Sequence, residues 1–394
     1  MPEEVAFRPQ GGRVRKRVFA LVALLLASVI SILVIELAIR AFWPHRVRTP
    51  FALEDPRFLY RNEPGVVGYQ TAPGEFGYGF TVNSLGFRGP EVAVEPPPGA
   101  LRILCVGDSF TWGSGVEDDE TYPAQLARIL SEGLPEQTVE VVNAGVMSWG
   151  VSQYYRWILE EGFDLDPDVI VIAMFHDDWT QALLGLVMEG PDGSLQTEDR
   201  VFDELRTQRE LLGSIPGFRW MMTNSQLLNW VRDSLRTQVT WPPGTHAFTK
   251  VGEGPPGSRE VAERERKERE RKQQAFRLAE KMLQELASES SARKIPVVLA
   301  WIPHRRTIHA LLEGQEAPYA DNDAAKLALE KVLTPQGVRL VDPREEIVAE
   351  LETTGMDVYE LYFRRDGHFY PRGYEILAAV VAPAVLEALD RRAR

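Results

Sequence analysis

Three short stretches hold residue types that can do acyl chemistry together. Ser109 stands in GDSFTWG at 107–113, behind the apolar run RILCV. Asp366 and His368 stand one residue apart in DGH, far along the chain. A serine hydroxyl is a weak nucleophile until a nearby base takes its proton, and histidine is the usual base near neutral pH. A carboxylate beside the imidazole fixes its tautomer and stabilises the charge it acquires. Backbone N–H groups at Ser109 and at the glycine turn around Gly145, in NAGVMSWG, could bind the oxyanion that attack creates. Taken alone, GDS is equally well explained by a serine at a strand-to-helix turn, and Gly145 by a turn glycine. Trp112 and Trp149 flank the same stretches and suit either a substrate pocket or the core.

Such residues work only if secondary structure brings them to one place. From residue 101 strand-like and helix-like stretches alternate. LRILCVGDS, VEVVNAGV (139–146), the wholly apolar DVIVIAMF (168–175), IPVVLAWIP (295–303) and VRLVDP (338–343) predict strands. TYPAQLARILSEG predicts a helix capped by Thr121 with Pro123 in its first turn. VSQYYRWILEEG and GYEILAAVVAPAVLEAL predict two more. This alternation implies a layered α/β domain with a mainly parallel sheet, whose ligand sites form at the carboxyl ends of the strands. GDSFTWG, NAGVMSWG and FHDDW all fall at such ends.

The flanking regions differ in character. RVRKR at 13–17 precedes the uncharged run Val18–Ile35, which continues through Glu36 and Arg40 to Trp43. About 20 apolar residues span a bilayer core, whereas a cleavable signal has a core of only about 7–15. A retained transmembrane helix over 18–43 is expected, with Glu36 near an interface. Arg8, Arg13, Arg15, Lys16 and Arg17 precede it, and Arg40, Arg46 and Arg48 follow. That bias favours a cytoplasmic tail at 1–17 and a large domain outside the cytoplasm. Residues 44–100 are rich in Gly, Pro and aromatics, predicting a small irregular or β-rich segment that ends at PPPG. The main domain is then 101–394, with an insertion at about 179–294. The insertion contains NSQLLNWVRDSLRT, the turn-rich WPPGTHAFTKVGEGPPGS, and EVAERERKERERKQQAFRLAEKMLQELA, whose alternating charges predict a solvated helix.

Composition narrows the function. A net charge of −13 argues against nucleic acid as the main partner. The single cysteine, Cys105, excludes a disulfide framework and a cysteine-rich zinc site. His176, His304 and His309 match no metal-ligand spacing, so neither metal nor cofactor is expected.

The ordered blocks GDSFTWG, NAGVMSWG and DGHFYPRGYEILA resemble those of the SGNH hydrolase superfamily, the GDSL-type esterases. The chain has no G-x-S-x-G elbow of the α/β-hydrolase kind. The helix ending ELAIRAFW, followed by VNSLGFRGPE, is similar to a membrane-anchored bacterial subgroup. The resemblance implies a three-layer α/β/α, flavodoxin-like fold with a five-stranded, mainly parallel sheet. It implies Ser109 as nucleophile, His368 as base and Asp366 as its orienting partner. It also implies backbone oxyanion donors at Ser109 and Gly145, and a side-chain donor where Asp177 stands. The family has an asparagine at that last position, and an ionised aspartate accepts hydrogen bonds and repels an oxyanion. The single residue between Asp366 and His368 resembles domains of bacterial polysaccharide O-acetylation proteins, including the alginate acetylation group. The implied function is cleavage or transfer of an O-acyl ester, O-acetyl in the first instance, on an extracytoplasmic glycan or lipid. Polysaccharide-modification partners would accompany it. The alternative is a catalytically degenerate relative that binds glycan or a partner.

Overall fold

The computed structural model describes residues 11–42, 51–72, 74–200, 225–228, 231, 259–315 and 318–392. The turn-rich loop at 241–258, most of NSQLLNWVRDSLRT and the extreme N-terminus lie outside the described residues. The chain divides into two units, 1–48 with 212–240 and 49–211 with 241–394.

In the first unit, helix α1 (Gly11–Phe42) presents apolar side chains all round. Its 28-residue stretch Arg15–Phe42 is long and apolar enough to cross a membrane, about 42 Å at 1.5 Å per residue. Glu36, expected only at an interface, has a specific task. Its carboxylate accepts from Ser225 Oγ (3.0 Å) and from the backbone N–H groups of Gln226 and Leu227 (both 2.9 Å). It thereby satisfies the open amides that begin a short helical stretch at 226–228.

The second unit opens with two hairpins, β1 (Ala52–Asp55) with β2 (Leu59–Asn62) and β3 (Val67–Ala72) with β4 (Phe76–Thr81). These are the strands of the segment predicted to be β-rich. The main sheet follows: β5 (Leu101–Gly107), helices α2 (Ser109–Trp112) and α3 (Tyr122–Gly133), β6 (Val139–Gly145), α4 (Val151–Trp157) and β7 (Val169–Phe175). After a small hairpin, β8 (Val187–Glu189) with β9 (Leu195–Thr197), come α5 (Arg259–Ala292), β10 (Val297–Ile302), α6 (Arg305–Leu312) and α7 (Ala320–Leu333). The domain closes with β11 (Arg339–Val341), α8 (Arg344–Thr354), α9 (Val358–Leu361) and α10 (Pro371–Arg392). The five-stranded sheet is parallel throughout, in the order β11-β10-β7-β5-β6.

Period-two alternation divides each central strand between two cores. Leu104, Val106, Ile170, Ile172, Leu299 and Trp301 face one layer, with α4, α5 and α7 over them. Ile103, Cys105, Val171, Ala173, Val298 and Ala300 face the other, covered by α3, α6, α8 and α10. The result is the three-layer α/β/α architecture with its five-stranded sheet.

One sequence expectation is corrected here. The charged helix is solvated only in its first half. Ala275, Ala279, Met282, Leu283, Leu286 and Ala287 are buried, so α5 is the crossover helix that covers the sheet between β7 and β10. Each large apolar side chain buried there contributes about 1.5–3 kcal/mol, enough to set the helix's place against the pull of its charges toward water.

Candidate active site

The sheet register sets the site. Gly107 on central β5 lies opposite Gly145 on β6 and Ala173 on β7. The three chains therefore leave the carboxyl edge side by side. Asp108 breaks the strand and caps the single turn of α2, its Oδ1 accepting from the Phe110 N–H at 2.8 Å. Ser109 is the first residue of that turn, where N–H groups have no helical acceptor. Gly113 ends the turn in the left-handed region (φ 88°), which costs glycine little.

The DGH loop arrives from the other end of the chain. His368 Nε2 lies 2.6 Å from Ser109 Oγ, and its Nδ1 is hydrogen-bonded to the Asp366 carboxylate. The Nδ1 facing a carboxylate must carry the proton, so Nε2 presents its lone pair to the serine hydroxyl. Burial opposes protonation of His368. The charge of Asp366, its hydrogen bond and the more distant Asp108 together outweigh that and lift the imidazole above its ordinary value. Burial likewise raises Asp366, but His368 and its hydrogen bonds leave the carboxyl below its usual range. The two side chains are 16% and 28% exposed, so the pair is sheltered yet reachable. Phe110 packs against the imidazole at 4.7 Å between ring centroids and stacks on Phe175 at 4.9 Å, which limits rotation of His368.

The remaining predicted residues are placed differently. Gly145 is buried and its N–H is already donated to Asn143 Oδ1 at 3.1 Å. A Cβ there would stand 2.2 Å from Trp112 N and 2.6 Å from Thr111 C, so glycine lets β6 close onto the nucleophile turn. The geometry thus gives Gly145 a packing role and commits the N–H that sequence reasoning assigned to an oxyanion. Asp177 is half-buried just beyond β7, with its carbonyl accepting from Thr180 N–H at 2.9 Å. Trp112 and Trp149 are not pocket walls: both are fully buried, with indole N–H groups donated to Tyr78 Oη (3.2 Å) and the Tyr60 carbonyl (2.9 Å).

Two features escaped the sequence reading. The first is Asp108, a buried acid behind the serine that interacts with Asp177 and Asp178. Burial, with Asp177 adding to it, pushes Asp108 up to about 6, against the pull of the Phe110 N–H and His368. Burial and the neighbouring Asp108 and Asp177 push Asp178 well above the carboxylate range, although Tyr154 Oη (2.8 Å) and the Phe175 N–H (2.8 Å) donate to it. The second is Arg88, whose side chain is 1% exposed. Its guanidinium donates to the carbonyls of Trp112 (2.7 Å), Gly113 (2.6 Å) and Val116 (2.6 Å), and pairs with Asp118 at 2.7 Å. Its own N–H donates to the Asn143 carbonyl at 3.1 Å, covering the outer edge of β6. Asp108 could have been flagged as a helix cap after an apolar strand. Arg88, partnered 24–30 residues away, leaves no local trace.

His176 and His304 lie at the ends of β7 and β10 with ring centroids 5.2 Å apart. Burial lowers them to about 3 and about 4, keeping both neutral, with Asn322 on His176 Nδ1 and the Arg306 N–H on His304 Nδ1. Among the described residues no group of three or more His, Cys, Asp or Glu side chains could hold a metal ion.

The parallel sheet order and the Ser109–His368–Asp366 chain at its carboxyl edge define the class, a three-layer α/β/α protein carrying a serine–histidine–aspartate site. No family model and no curated protein matches the chain. Among solved structures it is similar to Axe2, an acetylxylan esterase from Geobacillus stearothermophilus, at 14% identity. That match covers 74% of this chain and 95% of the other with a TM-score of 0.40. It is also similar to LAE5, described as an alpha/beta hydrolase enzyme from the metagenome of Lake Arreo, Spain. There the identity is 16%, the coverage 74% and 96%, and the TM-score 0.40. The fold assignment rests on the strand order and the two helical layers themselves.

Proposed function

We propose that the protein is a membrane-anchored serine esterase or O-acyltransferase acting on an O-acyl, in the first instance O-acetyl, ester outside the cytoplasm. The hydrogen-bonded chain from Ser109 through His368 to Asp366 carries this reading. Ser109 Oγ adds to the ester carbonyl carbon while its proton passes to His368 Nε2. The tetrahedral oxyanion takes the Ser109 N–H as one donor. On collapse the C–O bond to the alcohol breaks, and the leaving oxygen takes the proton from His368. Water or a sugar hydroxyl then attacks the acyl-serine, with His368 again accepting and returning the proton. Asp366 holds the Nδ1 tautomer and balances the imidazolium in both halves. The cation bias around α1 supports a cytoplasmic N-terminus and an extracytoplasmic site.

The test is labelling of the full chain in detergent micelles with a fluorescent fluorophosphonate, alongside p-nitrophenyl acetate cleavage. Wild type labels and turns over, and Ser109→Ala does neither. Equal behaviour of the two proteins overturns the assignment.

A second reading, a degenerate binder of glycan or partner, is favoured by Asp177, a carboxyl group where the resemblance calls for an amide that donates to the oxyanion. Asp177→Asn separates the two. An inert wild type that gains activity with the amide is a binder by nature. An active wild type that slows with the amide uses the aspartate.

A further inference from the structure

The first turn of α6 carries Arg305 and no acid, behind His304 as its cap. A cation there faces the positive end of the helix dipole, so the helix itself does not account for this arginine. Its partner lies 58 residues further on: Arg305 Nη1 donates to the Phe363 carbonyl at 2.7 Å. The same carbonyl accepts from the Gly367 N–H at 3.0 Å, and the Phe363 N–H donates to the His368 carbonyl at 2.8 Å. Those two backbone bonds close the loop that carries Asp366 and His368, and Arg305 sits at its neck. Gly367, between the acid and the base, has a φ of 91°. A Cβ on it would stand 3.4 Å from Arg305 Nη1, so glycine lets the guanidinium lie against the loop. The Tyr359 ring, from α9, is 5.9 Å from the guanidinium carbon.

Charges reach this loop from several elements. Asp366 on the loop and Asp108 after β5 both act on His368. Asp177, beyond β7, acts on Asp108. Tyr374 on α10 faces Asp366 and Asp108, but burial raises its hydroxyl and leaves it neutral. Burial likewise keeps His304 neutral beside Arg305. Glu75, ahead of β4, meets the loop at the Arg365 N–H, 3.0 Å away. Arg305 is the cation that acts on Asp366 from outside the loop.

We propose that Arg305 is a positioning residue of the serine site, a fixed cation that holds the DGH loop by the Phe363 carbonyl and offsets part of the Asp366 charge. This rests on the ester-processing reading of the Ser109 site. Arg305 acts through Asp366 and touches none of the reacting atoms. Asp366 draws a proton onto His368, and a base that holds its proton too well stays idle near neutral pH. The guanidinium tempers that pull, so His368 becomes a free base at lower pH. Arginine suits both tasks, because its fork stays charged at every working pH while one N–H is given to a carbonyl.

The test separates charge from shape by comparing Arg305→Gln with Arg305→Lys in the full chain in detergent micelles. Two quantities are read: the acid limb of kcat/KM for p-nitrophenyl acetate, and the imidazole midpoint of His368 by NMR titration. The His368 signal is assigned by its loss in His368→Gln. Removing a positive charge several ångströms away strengthens the hold of His368 on its proton. In Arg305→Gln both quantities should therefore move up by about 0.5 pH unit. Arg305→Lys keeps the charge and should leave both within about 0.2 unit of wild type. Arg305→Cys, labelled after folding with a cationic aminoethyl or a neutral ethyl thiosulfonate, repeats the comparison within one folded preparation, because Cys105 is buried. The neutral adduct should titrate higher than the cationic one. A rate that falls at every pH in Arg305→Gln with neither quantity moved means loop support alone, and overturns the proposal. So does a downward movement, or a lysine variant that shifts as far as the glutamine one. The imidazole titration reads Arg305 without turnover. Failure of the serine reading shows separately, as equal p-nitrophenyl acetate rates with and without Ser109.

Discussion

Replacing Asp366 by asparagine tests the site at the point where geometry and charge are joined. The amide would keep the size of the side chain and its hydrogen bond to Nδ1 but remove the negative charge. Two unit charges about 4 Å apart interact by about 4 kcal/mol at an effective dielectric near 20. The pair is partly open to water, 16% and 28% exposed, so about half of that, ~2 kcal/mol, is a fair share to lose. That corresponds to ~1.5 pH units on the imidazole. The burial that opposes protonation stays in place, so His368 falls from above its ordinary value to below it. The sign for activity follows. His368 accepts a proton only when neutral, so a raised value keeps the wild type idle until higher pH. The acid limb of kcat/KM for p-nitrophenyl acetate should therefore lie above about pH 6.5 in the wild type and below it in Asp366→Asn. The plateau rate should fall by about 10^4-fold, because the amide permits the wrong tautomer and leaves the imidazolium uncompensated. A limb that stays put or moves upward, or a plateau loss under tenfold, would refute the chain of reasoning from Asp366 to Ser109.

Two further outcomes are expected. Arg88→Ala strips a buried cation from three carbonyls and Asp118. Loss of one partner from such a buried arrangement costs about 3–5 kcal/mol, read as a lower urea midpoint; Arg88→Lys recovers only part, and a loss below about 1 kcal/mol would contradict the role given to Arg88. Gly145→Ala forces a methyl to 2.2 Å from Trp112 N, an overpacking of about 1–3 kcal/mol. It should lower the melting temperature and esterase rate together, whereas a rate loss at unchanged stability would return Gly145 to an oxyanion role.

How much could be read from the sequence follows the range of the interactions involved. The β5, β7 and β10 strands were visible because they are buried almost throughout and so read as largely apolar runs. Thr121 and Pro123 marked the start of α3 because capping is local, and the Thr121 hydroxyl does accept from the Ala124 N–H at 3.4 Å. The catalytic-type pairing of Ser109 with His368 spans 259 residues; the residue types made it chemically sensible, and the resemblance of whole ordered blocks singled it out. The core half of α5 was overshadowed by its charged first half, although Ala275, Ala279, Met282 and Leu286 recur at helical spacing in AFRLAEKMLQELA. For Gly145 the competing acceptor was two residues away, in the Asn143 side chain. Arg88 was invisible because nothing near it in sequence needs a cation.

That arginine also bears on where the folded unit begins. A fragment starting at Leu101 would contain every strand of the main sheet and all of the serine, histidine and aspartate. It would lack Arg88, and with it the cover on the free edge of β6 and the donors for the turn that follows Ser109. It would also lose Phe51 and Phe80, which pack on Trp112 at 4.6 and 5.2 Å between ring centroids. The body of the protein therefore begins near Phe51, inside what looks in sequence like a tether, and the hairpins ahead of the sheet belong to the same compact unit as the sheet.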